Sequence, residues 1–263
     1  MENQNDFKLE ALDEMENNLQ RLIGLLSTID ERHKESPFVD ELFRIFHNIK
    51  GNVQVAGFSQ LSNLTHSFES LILKLKEGKI NFTETFKDTL YSFYYLMFDF
   101  GQDWRVDPNI VFCDKVLLEN VKQLMMDQET VSNSKYSILI VDDEELIVEL
   151  IRNRVKEFCE CDIKTASNGK DALQLCLENK FHLILTDFKM PQMDGDDFIL
   201  NLRNKSNHNK QTPVVMITAY RPKLNISKKH WDNVLFMDKP FNFEKLKYYV
   251  KISLYMFEKA KFI

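Results

Sequence analysis

Two sets of residues in this chain are of types that can do chemistry. The first is Arg44-Ile45-Phe46-His47-Asn48-Ile49-Lys50-Gly51, where an imidazole is followed by an ammonium about one turn on and a glycine beside it. No proline falls between Val39 and Ala56, and the apolar spacing is helical. At roughly 100° per residue, His47, Lys50, Gly51 and Gln54 share one face, and Leu42, Phe43, Phe46, Ile49 and Val53 share another. An open imidazole next to a cation suits a residue that must take and release a phosphoryl group. A surface histidine alone is more often without function, so the stretch needs support from elsewhere. His66 and Glu69, three apart and so on one face of the next helical segment, offer some. A carboxylate beside an imidazole holds its tautomer and leaves the other ring nitrogen as nucleophile. The same spacing also fits an ordinary surface His/Glu pair.

The second set is Asp142, Asp143, Asp187, Thr218 and Lys239, each at or just beyond the end of a short, mostly apolar run. Three carboxylates crowded together repel one another unless a cation sits among them. Hard oxygen ligands plus water suit Mg²⁺, which is usually held by few carboxylates together with phosphate oxygens. Asp187 is then the nucleophile, the metal and Lys239 neutralise charge on phosphoryl oxygens, and the Thr218 hydroxyl adds a donor. Phosphoryl transfer asks for such positioning and charge stabilisation more than for covalent chemistry from the protein. Chance placement of five polar residues at strand ends is the competing explanation, and the placement of all five together argues against it.

The elements that must position these groups differ between the two halves. From Phe7 to Ile29, apolar residues at Leu9, Leu12, Met15, Leu19, Leu22, Ile23 and Leu26 mark a helix. Ser36-Pro37 opens a second, which carries His47 and ends near Gly57. Ser59 opens a third, stopped by Gly78, and Thr83 caps a fourth lined by Phe86, Leu90, Phe93, Tyr94, Met97 and Phe98. A fifth is expected over 108–126. With no strand alternation of any length, this half is expected to be an antiparallel bundle, a four-helix core plus an extra helix. The second half alternates instead, with strands over 136–141, 162–166, 182–186, 213–218 and 234–237 separated by helical stripes. That pattern calls for a parallel α/β sheet covered on both faces, with functional residues beyond the carboxyl ends of its strands. The expected divisions are 1–128 for the helical domain, 129–136 for a polar linker and 137–263 for the α/β domain.

Phe46-His47-Asn48-Ile49-Lys50-Gly51, then Gly57-Phe58, then Thr65-His66-Ser67-Phe68-Glu69, resembles histidine phosphotransfer (HPt) domains, most closely those of chemotaxis-type histidine kinases. The resemblance implies that His47 is the phosphoacceptor, that Lys50 helps hold the phosphoryl group, and that Glu69 and His66 are hydrogen-bonded neighbours of His47. Asn52-Val53-Gln54-Val55 departs from the small residues often found there, and bulkier side chains could narrow the docking face and select partners. Nothing in these residues resembles the ATP-binding domain of such kinases. On this reading the chain is a phosphotransfer protein that does not charge His47 from ATP by itself.

The second half resembles the receiver domain of response regulators, a flavodoxin-like fold. The motifs are Ile140-Val141-Asp142-Asp143-Glu144, Thr186-Asp187-Phe188-Lys189-Met190-Pro191-Gln192-Met193-Asp194-Gly195, Ile217-Thr218-Ala219 and Asp238-Lys239-Pro240-Phe241. The resemblance implies phosphorylation at Asp187, Mg²⁺ on Asp142, Asp143, Asp187 and the main-chain carbonyl of Lys189, and a switch pair of Thr218 and Phe236. The segment 220–233 departs from the usual alanine-rich helix. The last helix, from Phe243 to about Phe262, is apolar over a broader stripe than packing on a sheet requires. Either that stripe is all core, or half of it meets the helical domain or a second copy in a homodimer.

Composition narrows the classes. At 44% hydrophobic and 28% charged residues the chain reads as a soluble globular protein. Residues 1–130 hold 13 Lys/Arg and 22 Asp/Glu, net −9, and residues 131–263 hold 21 and 18, net +3. Neither half carries the basic stripe of a nucleic-acid binder. No apolar run has the roughly 18 residues of a membrane span, and the start lacks a signal-peptide pattern. Four cysteines without metal spacing point to reduced thiols in the cytoplasm. The expected function is a two-component phosphorelay in which His47, Asp187 and partner proteins exchange phosphoryl groups. Its partners are a sensor histidine kinase or other receiver and HPt proteins, without nucleic acid or membrane insertion. The alternative is a binding switch: phosphorylation of Asp187 alters what the helical domain binds, with no chemistry at His47.

Overall fold

A computed structural model describes residues 2–28, 36–106, 108, 118, 121–122, 125, 135–204, 208–219 and 233–259. The chain divides into two compact units, Met1–Val131 and Ser132–Ile263. The expected fifth helix over 108–126 and the 220–233 segment lie almost wholly outside the described residues. So does the linker, although the first strand already begins at Tyr136.

The first unit is built from α1 (Glu2–Ser27), α2 (Ser36–Val55), α3 (Ser59–Lys76) and α4 (Glu84–Val106). On α1, Leu12, Met15, Leu19, Leu22 and Leu26 are buried at alternating spacings of three and four, a continuous stripe beginning one turn later than Leu9, which is exposed. Ion pairs set the helix directions. Asp40 near the start of α2 meets Lys76 at the end of α3 at 2.6 Å, and Arg21 late in α1 meets Glu41 early in α2. Arg105 at the end of α4 reaches Asp13 on α1 at 2.6 Å. Neighbouring helices therefore run antiparallel. Gly57 and Gly78, at φ +77° and +68°, end α2 and α3 in the left-handed conformation that glycine adopts without strain. The Thr83 hydroxyl accepts from the Phe86 amide at 3.1 Å and caps α4.

Behind His47 lies an aromatic core. The Phe46 and Phe68 rings stack at 5.2 Å and 6°, and Phe93 packs against both at 4.5 and 4.6 Å. All three are fully buried, each contributing roughly 1.5–3 kcal/mol of transfer free energy. Tyr91, Phe93, Tyr94, Tyr95 and Met97 are buried as well, so the aromatic run of α4 is core rather than a partner surface.

The second unit contains β1 (Tyr136–Val141), α5 (Glu145–Lys156), β2 (Cys161–Ala166), α6 (Gly169–Glu178), β3 (Leu183–Asp187), α7 (Gly195–Asn204), β4 (Val214–Thr218), β5 (Val234–Asp238) and α8 (Phe243–Lys259). All five strands pair in parallel in the order β2-β1-β3-β4-β5. This is the flavodoxin-like order, whose crevice opens between β1 and β3. One face carries Leu139, Val141, Ile184, Val214 and Met216 under Ala172, Leu173 and Cys176 of α6 and Phe198, Ile199 and Leu202 of α7. α5 and α8 pack on the other, with Phe158 edge-on to Phe243 at 5.7 Å. In α8, Leu246, Tyr248, Tyr249, Val250, Leu254 and Phe257 are buried, and Phe243, Ile252, Tyr255 and Met256 are half-buried. The broad stripe leaves no apolar side chain of that helix exposed.

The amino-terminal edge of this sheet is held by Asn209, which is completely buried. Its amide donates to the carbonyls of Cys176 at 2.7 Å and Asn179 at 2.6 Å, and its oxygen accepts from the Phe181 amide at 2.7 Å. Thr212 donates to that oxygen at 3.3 Å, and the Arg203 guanidinium donates to the carbonyls of Lys210 and Thr212 at 2.9 and 3.0 Å. The end of α6 and the entries to β3 and β4 are thereby tied together.

Candidate functional site

On α2 the apolar face turns Phe46 and Ile49 inward, so His47, one position on, emerges into solvent with its side chain 61% exposed. The Phe43 ring lies nearly parallel to the imidazole, with centroids 6.0 Å apart. α3 runs alongside and presents Glu69, whose carboxylate is almost fully buried. The two Glu69 oxygens have separate partners. Oε1 lies 2.8 Å from His47 Nδ1, and Oε2 takes the Lys50 ammonium. Burial pushes the Glu69 carboxyl up, but the bonds from Lys50 and His47 outweigh it, and the group lies below its ordinary range. Glu69 is therefore ionised at neutral pH. A carboxylate can only accept, so the proton at this contact sits on Nδ1 and the lone pair is at Nε2.

Of the residues expected here, His47, Lys50 and Glu69 come together. His66 stands apart: its Nδ1 is 3.6 Å from Glu69 Oε2, too long for a hydrogen bond, and its side chain is exposed. The Lys50 ammonium is engaged with Glu69. A polar cleft of about 410 Å³ opens beside His47 between α1 and α2, lined by Glu14, Asn18, Arg21, Asn48 and Asn52 among others. In 52–55, Val53 is buried while Gln54 and Val55 point outward.

The second site gathers at the carboxyl edge of the sheet, where register aligns Val141 with Thr186, Asp187 with Ile217 and Thr218 with Asp238. Lys239 joins the carboxylates. Its Nζ lies 2.6 Å from Asp187 Oδ1 and 3.5 Å from Asp142 Oδ2. The Lys239 amide also donates to the Thr218 carbonyl at 2.7 Å, so backbone and side chain of the lysine are both fixed. Asp187 Oδ2 accepts from the Lys189 amide at 2.9 Å, and Asp142 Oδ1 accepts from the Glu144 amide at 2.9 Å. Asp143 is exposed. Burial drives the Asp142 carboxyl above its ordinary range, aided by Asp187 and Asp143 and opposed by the Glu144 amide and Lys239. Burial alone would lower Lys239, but Asp187 and Asp142 more than reverse it, so the ammonium is held charged.

Asp142 Oδ2 is buried without a hydrogen-bond partner. Such an atom costs about 1–3 kcal/mol unless something satisfies it, and a hard cation would. Among the described residues no three carboxylate, imidazole or thiol groups already converge on one point. The oxygen donors this edge does present, the carboxylates of Asp142 and Asp187 on either side of Lys239, are of the hard type that suits Mg²⁺.

Two glycines matter more than their motif positions suggested. A Cβ on Gly195 would stand 2.4 Å from the Asp187 carbonyl oxygen, and one on Gly169 would stand 2.7 Å from the Met193 carbonyl oxygen. These close approaches hold the 188–195 loop against β3 at Gly195 and against the start of α6 at Gly169, and spacing alone does not reveal them. Phe236 is half-buried, and its carbonyl accepts from the Tyr249 hydroxyl at 2.7 Å. Thr218 and Phe236 lie on the same sheet face, because Met216 is aligned with Phe236 and Thr218 follows two residues later.

Both sites fall within regions that match known families. Residues 8–91 match the Hpt domain, and residues 138–251 match the response regulator receiver domain. The chain is an Hpt domain joined to a response regulator receiver domain. That pairing makes it a two-component phosphorelay protein. A stretch of 82 residues is 40% identical to the transcriptional regulatory protein SrrA of Staphylococcus aureus, covering 31% of this chain and 32% of that protein. The chain thus spans about a third of the length of the curated relatives it matches. Among solved structures it is similar to the chemotaxis response regulator CheY4 of Vibrio cholerae, at 27% identity over 46% of this chain and 99% of that one, with a TM-score of 0.42. A CheY-like receiver domain protein from Methanospirillum hungatei is similar at 26% identity over 48% of this chain and 99% of its own, with the same TM-score of 0.42. Among the described residues no helix is long and apolar enough to cross a membrane.

Proposed function

We propose that His47 and Asp187 are the two phosphoryl carriers of this chain, exchanging phosphoryl groups with partner proteins. The observation that carries the reading is the divided use of Glu69. One oxygen fixes the proton on His47 Nδ1, the other binds Lys50, and Nε2 is left exposed as a nucleophile. A binding switch without chemistry at His47 has no use for that arrangement. In a transfer from a phosphohistidine to a receiver aspartate, the P–N bond at Nε2 breaks as a P–O bond forms to a carboxylate oxygen of the receiving aspartate. The imidazole leaves with its lone pair restored while Nδ1 keeps its proton. Asp187 is oriented by the Lys189 amide, and Lys239 offsets charge on the phosphoryl oxygens.

Asp142, Asp143, Asp187 and the Lys189 carbonyl are the groups that would hold Mg²⁺, with the buried Asp142 Oδ2, which makes no hydrogen bond and faces Lys239 at 3.5 Å, as the observation in favour. Bound there, Mg²⁺ supplies Lewis-acid neutralisation of the phosphoryl oxygens. Thr218 and Phe236 form the proposed switch pair. The partners are a sensor histidine kinase and further receiver or HPt proteins, met in the cytoplasm. A homodimer through α8 would use the half-buried Phe243, Ile252, Tyr255 and Met256.

Labelling tests the proposal. With a small acyl phosphate or a phosphohistidine kinase and Mg²⁺ the chain should carry a base-labile label, and with a phosphorylated receiver an acid-labile one. His47→Gln should lose only the acid-labile label and Asp187→Asn only the base-labile one. If only base-labile label appears and His47→Gln changes nothing, the relay reading fails.

A further inference from the structure

Glu41, early in α2, divides its carboxylate between two arginines. Oε1 takes the Arg21 guanidinium of α1, and Oε2 lies 3.7 Å from the Arg44 guanidinium one turn on. The two contacts differ in kind. Arg21 is held from a second side by Asn18, whose Oδ1 accepts from its Nη1 at 3.5 Å, and its bond to Glu41 ties α1 to α2. Arg44 stands beyond hydrogen-bond distance from Glu41, and its side chain is 72% exposed. It can therefore leave Glu41 without breaking packing, and Glu41 stays paired through Arg21.

Arg44 also precedes His47 by three residues, which sets the two side chains beside each other on α2 with Cβ atoms roughly 5–6 Å apart. Side chains on a helix lean toward its amino terminus, so the imidazole lies over the turn that carries Phe43 and Arg44. The Phe43 ring, stacked on the imidazole at 6.0 Å, records that direction. A phosphoryl group on Nε2 brings nearly two negative charges and three accepting oxygens. It would arrive in an acidic unit, net −9 over residues 1–130, with Glu69 at Nδ1 and Glu14 lining the adjoining cleft. Lys50, the cation one turn beyond His47, is engaged with Glu69.

We propose that Arg44 is a phosphoryl-binding residue: when His47 carries a phosphoryl group, the Arg44 guanidinium moves from Glu41 to its oxygens, and Arg21 keeps Glu41 paired. The inference rests on His47 being a phosphoryl carrier and adds the group that holds the phosphoryl oxygens. A guanidinium presents paired N–H donors that match two such oxygens at once, a capacity the 3.7 Å contact with Glu41 leaves unused. No covalent bond changes in this step. One loose ion pair is exchanged for a stronger one, and the exchange reverses when the phosphoryl group leaves. Arg44 thereby favours the phosphorylated state of His47 and sets how far the equilibrium with a partner aspartate lies toward the histidine.

The test uses the full chain in an Asp187→Asn background, so that label reaching the chain reports His47, with a receiver protein charged by a small acyl phosphate as donor. The ratio of acid-labile label on the chain to base-labile label on the donor is read at equilibrium in Mg²⁺. Arg44→Ala should lower that ratio about fivefold, and Arg44→Lys, a cation without the paired donors, should restore part of it. Glu41→Gln should raise the ratio about threefold by freeing Arg44, and adding Arg44→Ala should abolish that gain. The His47 tautomer, read by nitrogen NMR, should match the parent protein throughout. A ratio within about twofold of the parent in Arg44→Ala, a Glu41→Gln gain that persists without Arg44, or an altered tautomer would each overturn the proposal. Absence of acid-labile label on the parent chain would instead refute His47 as a carrier, whereas label that is present and indifferent to Arg44 refutes the phosphoryl-binding role alone.

Discussion

Replacing Glu69 by glutamine changes one atom and tests the whole account of His47. The carboxylate has two accepting oxygens, and each has a donor: His47 Nδ1 at 2.8 Å and the Lys50 ammonium. Glutamine offers one accepting oxygen and one donating amide, so it cannot satisfy both. If the oxygen stays with Lys50, the amide faces Nδ1 and selects the tautomer with its proton on Nε2, which removes the nucleophile. If the oxygen turns to His47, the bond survives as a neutral one. A charge-assisted bond contributes roughly 1.5–3 kcal/mol and a neutral one roughly 0.5–1.5 kcal/mol, so even the milder case loses about 1–1.5 kcal/mol. That corresponds to about a tenfold fall in the rate at which His47 takes up a phosphoryl group, and more where the tautomer inverts. The assay is single-turnover labelling of His47 from a phosphorylated partner, alongside nitrogen NMR of the imidazole to read the tautomer. A rate within about twofold of the parent protein, with the Nδ1–H tautomer undisturbed, would refute the assignment of Glu69 as the group that prepares His47.

Three further outcomes follow from the geometry. Lys239→Ala removes the cation between Asp142 and Asp187, so Mg²⁺ affinity by calorimetry should rise while Asp187 labelling slows at least about tenfold; weaker Mg²⁺ binding would contradict the site described. Gly195→Ala drives a methyl group into the Asp187 carbonyl, and overpacking of this kind should cost roughly 1–3 kcal/mol, lowering Tm and Asp187 labelling together. Glu69 has a folded-state pKa below its unfolded value, so its contribution to stability is present above the ordinary carboxylate range and is lost as pH falls through the depressed folded value. Urea midpoints of the helical unit should therefore drop on acidification below the ordinary range, and Glu69→Gln should flatten that part of the profile.

Much of this was legible in the residues because both folds write their periods plainly. The three-and-four spacing of Leu12, Met15, Leu19, Leu22 and Leu26, and the apolar runs of β1, β3 and β4, reflect burial, which sequence encodes directly. The limits of the reading are equally physical. His182 continues the apolar run of β3 but is not part of the strand, since its Nδ1 accepts from the Ser137 amide at 2.9 Å and so serves as a side-chain extension of the ladder. The Lys50–Glu69 ion pair is not legible in the spacing of either residue, because it depends on how closely two helices approach. The Gly195 approach and the buried Asp142 oxygen that makes no hydrogen bond likewise exist only once β1 and β3 lie side by side. Spacing identifies which groups are present at an edge, and packing decides which of them are already engaged.

The Asn209 cluster divides the receiver sheet into two ends with different tolerances. At the amino edge the amide of Asn209 is committed on both its oxygen and its nitrogen, so a change there strands several backbone groups at once. At the carboxyl edge an oxygen of Asp142 makes no hydrogen bond and is met only loosely by Lys239, at 3.5 Å. Substitutions that retune reactivity can therefore accumulate at one end while the other keeps the strands in register. An engineer wishing to alter partner or rate has room to work around Asp142 and Lys239, and none around Asn209.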